Sequence, residues 1–126
     1  RVGIACESGL LRGILWQQGE SDIEAGSIED YGIQLAKVLE SFRQRLELPE
    51  LPIVVGGLPA YLLSGSAVEL DRSIRSVADG LRGCLYVPGC ALGHIGDCLH
   101  YNTDSQREVG YRYALAMQAL LEWVKR

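Results

Sequence analysis

Several features are scarce in this chain of 126 residues, and each scarcity removes a class of function. No segment strings together the roughly 20 apolar residues of a membrane span, so no membrane partner is expected. Lys and Arg number 12 against 16 Asp and Glu, for a formal net charge of -4 and a pI near 5.1. Without a basic run there is no electrostatic footprint for nucleic acid, and small or neutral ligands fit better. The four cysteines, Cys6, Cys84, Cys90 and Cys98, never form a C-x-x-C pair. Cys84, Cys90, His94, Cys98 and His100 do fall within seventeen residues, but at intervals unlike those of zinc fingers. Free thiols in a reducing setting, cytoplasmic rather than secreted, are the favoured reading, with no metal and no cofactor implied. The chain has no initiator methionine, and residues 1–4 form no signal-peptide pattern. It is therefore expected to begin inside a longer gene product. Internal repeats and low-complexity linkers are also missing.

What remains is an ordinary globular balance, 48% hydrophobic and 22% charged, that can bury one core. Short apolar runs stop at polar residues or glycine at positions 2–6 (VGIAC), 12–16 (RGILW), 52–57 (PIVVGG) and 84–87 (CLYV). Their unbroken hydrophobicity predicts strands covered on both faces. Helices are predicted between them. Residues 27–30 (SIED) resemble a capping box, followed by Tyr31, Leu35, Val38, Leu39, Phe42 and Leu46 as one apolar stripe ending before Pro49. Ser66 opens a second helix with Leu70, Ile74, Val77 and Leu81 on one face and Gly83 as C-cap. Thr103 to Gln106 cap a terminal helix whose Val109, Tyr113, Met117, Leu120 and Val124 face inward. Strands alternating with helices predict an α/β fold, a three-layer doubly wound sandwich about a mainly parallel sheet. One junction does not fit. Only residues 7–12 separate the first two strands, whereas parallel neighbours need a crossover of about a dozen residues. Either those strands are antiparallel or residues are absent, and absence is the expectation.

Two stretches carry candidate chemistry. In residues 96–102 (GDCLHYN), an aspartate three positions before a histidine can hold one ring nitrogen and leave the other as a general base. The loop follows a strand and precedes a helix, where α/β folds place active sites. A plain helix-capping turn is the competing reading. In residues 14–22 (ILWQQGESD), Gly19 lets the chain turn closely, and Gln18 could aim an amide at a developing oxyanion. Glu20 and Asp22 read as support, holding the following loop by hydrogen bonds to backbone. A glycosidase carboxylate pair has no other support in the chain.

Together, "GILWQQGESD" and "GDCLHYNTDSQREVGYRYA" resemble the sialate O-acetylesterase and acetylxylan esterase group of SGNH hydrolases. That resemblance implies a flavodoxin-like sheet, residues 1–126 as a single partial esterase domain, and an acetylated carbohydrate as substrate. It implies His100 as base, Asp97 as its orienting partner and Gln18 as an oxyanion donor. "VGIACESG" is similar to a block that would make Gly9 a further donor. The family's nucleophile sits in an N-terminal G-Q-S-N type block that this sequence lacks, leaving Ser8 as the one serine placed where a nucleophile could sit. The expected activity is serine acyl transfer that removes acetyl groups from a sugar. The alternative is a catalytically incompetent module that binds carbohydrate or protein.

Overall fold

A computed structural model describes residues 2–25, 28, 30–91 and 93–124. Three strands, β1 (Ile14–Trp16), β2 (Ile53–Gly56) and β3 (Cys84–Val87), form a parallel sheet in the order β1-β2-β3. The register pairs Ile14 with Ile53 and Ile53 with Cys84. β2 is buried at every position, as a central strand covered on both faces must be.

The two faces take different partners. After the short α2 (Glu20–Ala25) come α3 (Tyr31–Arg45) and α4 (Ser66–Gly80), toward which Ile53, Val55 and Cys84 point to pack with Leu35, Leu39, Leu70 and Ile74. Val54 and Val87 point the other way, onto Val109, Tyr113 and Leu120 of α5 (Thr103–Val124). Alternation along each strand thus builds a three-layer α/β structure. Both crossovers, through α3 and α4, lie on the same face, and α5 covers the other.

The first apolar run departs from expectation. Residues 2–6 form a short helix, α1 (Val2–Cys6), not a strand. A run of five apolar residues reads equally as either by periodicity, and no strand of the sheet pairs with it. Among the described residues there is thus no short parallel crossover between residues 7 and 12. β1 is therefore an edge among the described residues, with Leu15 58% exposed. A hollow of about 570 Å³ runs beside that edge, lined by Gly13, Leu15, Tyr113, Met117 and Leu121.

The helix ends also differ in detail. Ser27 and Glu29 of the expected capping box lie outside the described residues. The buried stripe of α3 runs at positions 31, 35, 39 and 43, so Val38 and Phe42 stay partly exposed and Arg43 goes inside. Arg43 is accommodated because its guanidinium donates to the Leu51 carbonyl at 2.8 and 3.0 Å and to the Gly83 carbonyl at 3.3 Å. α4 is capped by Leu81 in extended backbone, and Gly83, with φ +67°, instead makes the turn into β3. Asn102, not Thr103, caps α5, accepting the Ser105 N–H on its side chain at 2.9 Å.

The loops leaving β2 and β3 are pressed together at Gly89, where an added Cβ would stand 1.9 Å from the Leu58 carbonyl oxygen. The Ala60 N–H reaches the Cys90 carbonyl at 3.1 Å in the same place. Gly89→Ala must push two backbones apart, so it should cost about 1–3 kcal/mol in urea unfolding. Unchanged stability in that variant would show that the loops are not in contact.

Candidate active site

All three parallel strands deliver residues to the same end of the sheet, the carboxyl end, where open α/β sheets bind ligands. β1 ends in Gln17, Gln18 and Gly19; β2 leads through Gly57 to a 3₁₀ turn (Ala60–Leu62) that presents Tyr61; β3 leads to the loop holding Asp97 and His100. Side chains tie these ends together. Gln17 donates to the Gly57 carbonyl at 3.2 Å and receives the Tyr113 hydroxyl from α5. Tyr61 donates to the Leu99 carbonyl at 3.1 Å, and the Cys90 N–H reaches the Tyr101 hydroxyl at 3.3 Å.

The Asp97–His100 turn is built around one carboxylate. Asp97 Oδ1 accepts the N–H groups of Leu99 and His100, both at 2.9 Å, and Oδ2 lies 2.6 Å from His100 Nδ1. Gly96 at φ +114° and Cys98 at φ +58° supply the sharp reversal this needs. The hydrogen bond from His100, followed by the two backbone N–H groups, holds the Asp97 carboxyl well below the usual carboxylate range. An ionised Asp97 accepts a proton-bearing Nδ1, so Nε2 of the neutral ring is left bare. The His100 side chain is 70% exposed, so the pair adds little to stability and its effect is orientation.

Gln18 is oriented by two neighbours. The Tyr31 hydroxyl lies 2.7 Å from Oε1, and burial raises Tyr31 to about 12, so it stays protonated and donates. That assigns Oε1 as acceptor and turns the amide nitrogen toward Asp22 Oδ2, at 2.5 Å. One N–H of Gln18 goes to Asp22; a carboxamide has a second. Glu20 Oε1 accepts from Gln17 Nε2 at 3.3 Å. Glu20 and Asp22 therefore hold the two glutamine side chains.

Tyr61 joins the two stretches and was not foreseen. Burial raises its hydroxyl pKa, and the charges of Asp97 and Glu20 add to that. Glu20 also raises Tyr101 and Tyr113, behind burial. Tyr61 is thus the tyrosine on which a carboxylate of the first stretch and one of the Asp97–His100 turn both act. The available signal was position, since an aromatic just past the carboxyl end of the clearest strand faces the cleft.

Ser8 and Gly9 are not brought to this site. They lie in an exposed turn after α1, not at a strand end, and no described hydrogen bond links them to Gln18, Asp97 or His100. The cysteines and histidines likewise form no metal-holding group among the described residues.

The Asp97 bonding gives a pH prediction. A depressed folded pKa means that the stabilisation is present above the unfolded value of about 3.9 and is lost as pH falls through the lower folded value. Carbon NMR of the Asp97 carboxyl should titrate below ~3.9 and move upward in His100→Ala. A midpoint at or above the ordinary value would contradict the bonding described.

A family model described as a carbohydrate esterase, sialic acid-specific acetylesterase, matches residues 1–119. An Arabidopsis thaliana protein described as a probable carbohydrate esterase is 29% identical over 112 residues, 86% of this chain. The chain spans 40% of that relative's length. The X-ray structure of the Arabidopsis protein superposes with a TM-score of 0.77 at 27% identity, covering 93% of this chain and 48% of the solved one. With nearly its whole length matched by the family model, the chain belongs to the sialic acid-specific acetylesterase family of carbohydrate esterases.

Proposed function

We propose that this chain carries the base and one oxyanion wall of an enzyme that removes acetyl groups from a sugar by serine acyl transfer. The observation that carries the reading is the Asp97–His100 pair, whose bare Nε2 lies on the exposed turn at the carboxyl end of the sheet. Family membership supports ester hydrolysis and an acetylated carbohydrate as substrate.

In the proposed reaction a serine hydroxyl attacks the acetyl carbonyl while its proton passes to His100 Nε2. The positive ring that results is steadied by Asp97 through Nδ1. The carbonyl oxygen becomes an oxyanion and takes the second N–H of Gln18. Collapse breaks the ester bond, and His100 returns the proton to the departing sugar hydroxyl. Water then attacks the acetyl-enzyme with the same base, releasing acetate and regenerating the serine.

Among the described residues no hydroxyl or thiol hydrogen-bonds His100 Nε2, and the reading assigns no role to Ser8 or Gly9. The family resemblance puts the nucleophile at a strand end. A further parallel strand at the open edge of β1 would deliver a hydroxyl to the same carboxyl end of the sheet that carries Gln18 and His100. The same lack of a partner for Nε2 favours a second reading, a carbohydrate-binding module that turns nothing over.

Acetyl release from an aryl acetate by the full-length protein separates the two. His100→Ala should lose more than the 10²- to 10⁴-fold of general base catalysis alone, because the nucleophile depends on it. Asp97→Asn should lose roughly 10⁴-fold through the wrong tautomer, and Gln18→Ala about 10²- to 10³-fold. Wild-type rates in His100→Ala would sink the esterase reading; an inert wild type that still binds acetylated sugar would establish the module.

A further inference from the structure

His94 stands in the same loop as the catalytic turn, and the reaction above leaves it unused. Its Nδ1 accepts two backbone N–H groups, from Gly96 at 3.0 Å and from Cys98 at 3.1 Å. A ring nitrogen can accept only when it carries no proton, so the proton of the neutral ring is on Nε2. There it meets Cys98 Sγ at 3.6 Å, an acceptor that suits this tautomer. Tyr61 closes the ring from another side, edge-on with centroids 5.3 Å apart, while its hydroxyl holds the Leu99 carbonyl.

The backbone amides of the loop are thereby divided between two side chains. His94 takes those of Gly96 and Cys98; Asp97 takes those of Leu99 and His100. Both residues that His94 holds have positive φ, and Cys98 is not a glycine. An L residue in that region is disfavoured and persists only where its surroundings impose it. Here the imposing group is the His94 ring. Pairing of Ile95 N–H with the His100 carbonyl at 3.0 Å closes the same loop from outside but does not reach those two amides.

We propose that His94 is a positioning residue: its neutral Nδ1 clamps the strained half of the turn and so sets where Asp97 aims His100. The functional part of this inference rests on the reading of His100 as the base. The clamp itself does not.

The test compares wild type with His94→Asn and His94→Leu. An asparagine Oδ1 sits three bonds from Cα, as Nδ1 does, and can accept the same two N–H groups; leucine keeps bulk and accepts nothing. Nitrogen NMR should show His94 with a bare Nδ1 and a protonated Nε2. In His94→Leu, exchange of the Gly96 and Cys98 amides should accelerate about tenfold or more while amides of β2 are unmoved. His94→Asn should stay near wild type. In full-length enzyme that releases acetyl groups, His94→Leu should lower kcat about 10²-fold with little change in KM, and His94→Asn should recover most of it. A proton on His94 Nδ1, or unchanged loop amides in His94→Leu, would overturn the clamp. Wild-type kcat in His94→Leu would overturn its catalytic consequence. The amide and nitrogen measurements need no turnover, so a full-length protein without esterase activity would defeat the functional reading and leave the clamp standing.

Discussion

A single carboxylate organises the loop that follows β3 at the carboxyl end of the sheet. Asp97 accepts two backbone N–H groups on one oxygen and the His100 ring on the other. The first pair folds the turn, and the last bond chooses which ring nitrogen keeps the proton. Neither task requires burial, which is why an ion pair on an open surface can matter here while adding little to stability. It requires a backbone that reverses sharply, and Gly96 and Cys98 with positive φ provide that at a conformational cost the loop must offset.

The sheet does the rest by gathering. Gln18, Tyr61 and His100 are separated by about forty residues each along the chain, yet each follows a parallel strand and so emerges at the same end. The contacts that hold these exits together are polar and cross between elements: Gln17 to Gly57, Tyr113 to Gln17, Tyr61 to Leu99. Beneath them, the close approach of Gly89 to Leu58 sets the separation of the second and third loops. The site is therefore a property of strand direction and loop spacing, and the helices contribute mainly by covering the two faces.

Much of this could be read from residue order. The β-branched run at positions 53–55 and the apolar spacing of 70 and 74 state their structures directly, because burial on both faces or on one stripe leaves a visible period. Residues 2–6 do not, since five apolar residues fit one helical turn as well as one strand. Arg43 was hidden for a different reason: its burial depends on carbonyls at Leu51 and Gly83, which no local pattern announces. The aspartate–histidine spacing was legible as a turn because both partners lie within three residues. Tyr61 and His94 were not, the first because its partners are distant in sequence, the second because a histidine among cysteines reads first as a metal ligand.

Membership of a carbohydrate esterase family gives this geometry its chemical sense, and the chain covers under half of the solved relative. The central physical claim is that Asp97 leaves His100 with a bare, outward nitrogen. Nitrogen NMR of the neutral His100 ring tests it most directly. The account predicts a proton on Nδ1, shared toward Asp97, and no proton on Nε2; a neutral ring protonated on Nε2 would contradict it, since no free base would then face a substrate.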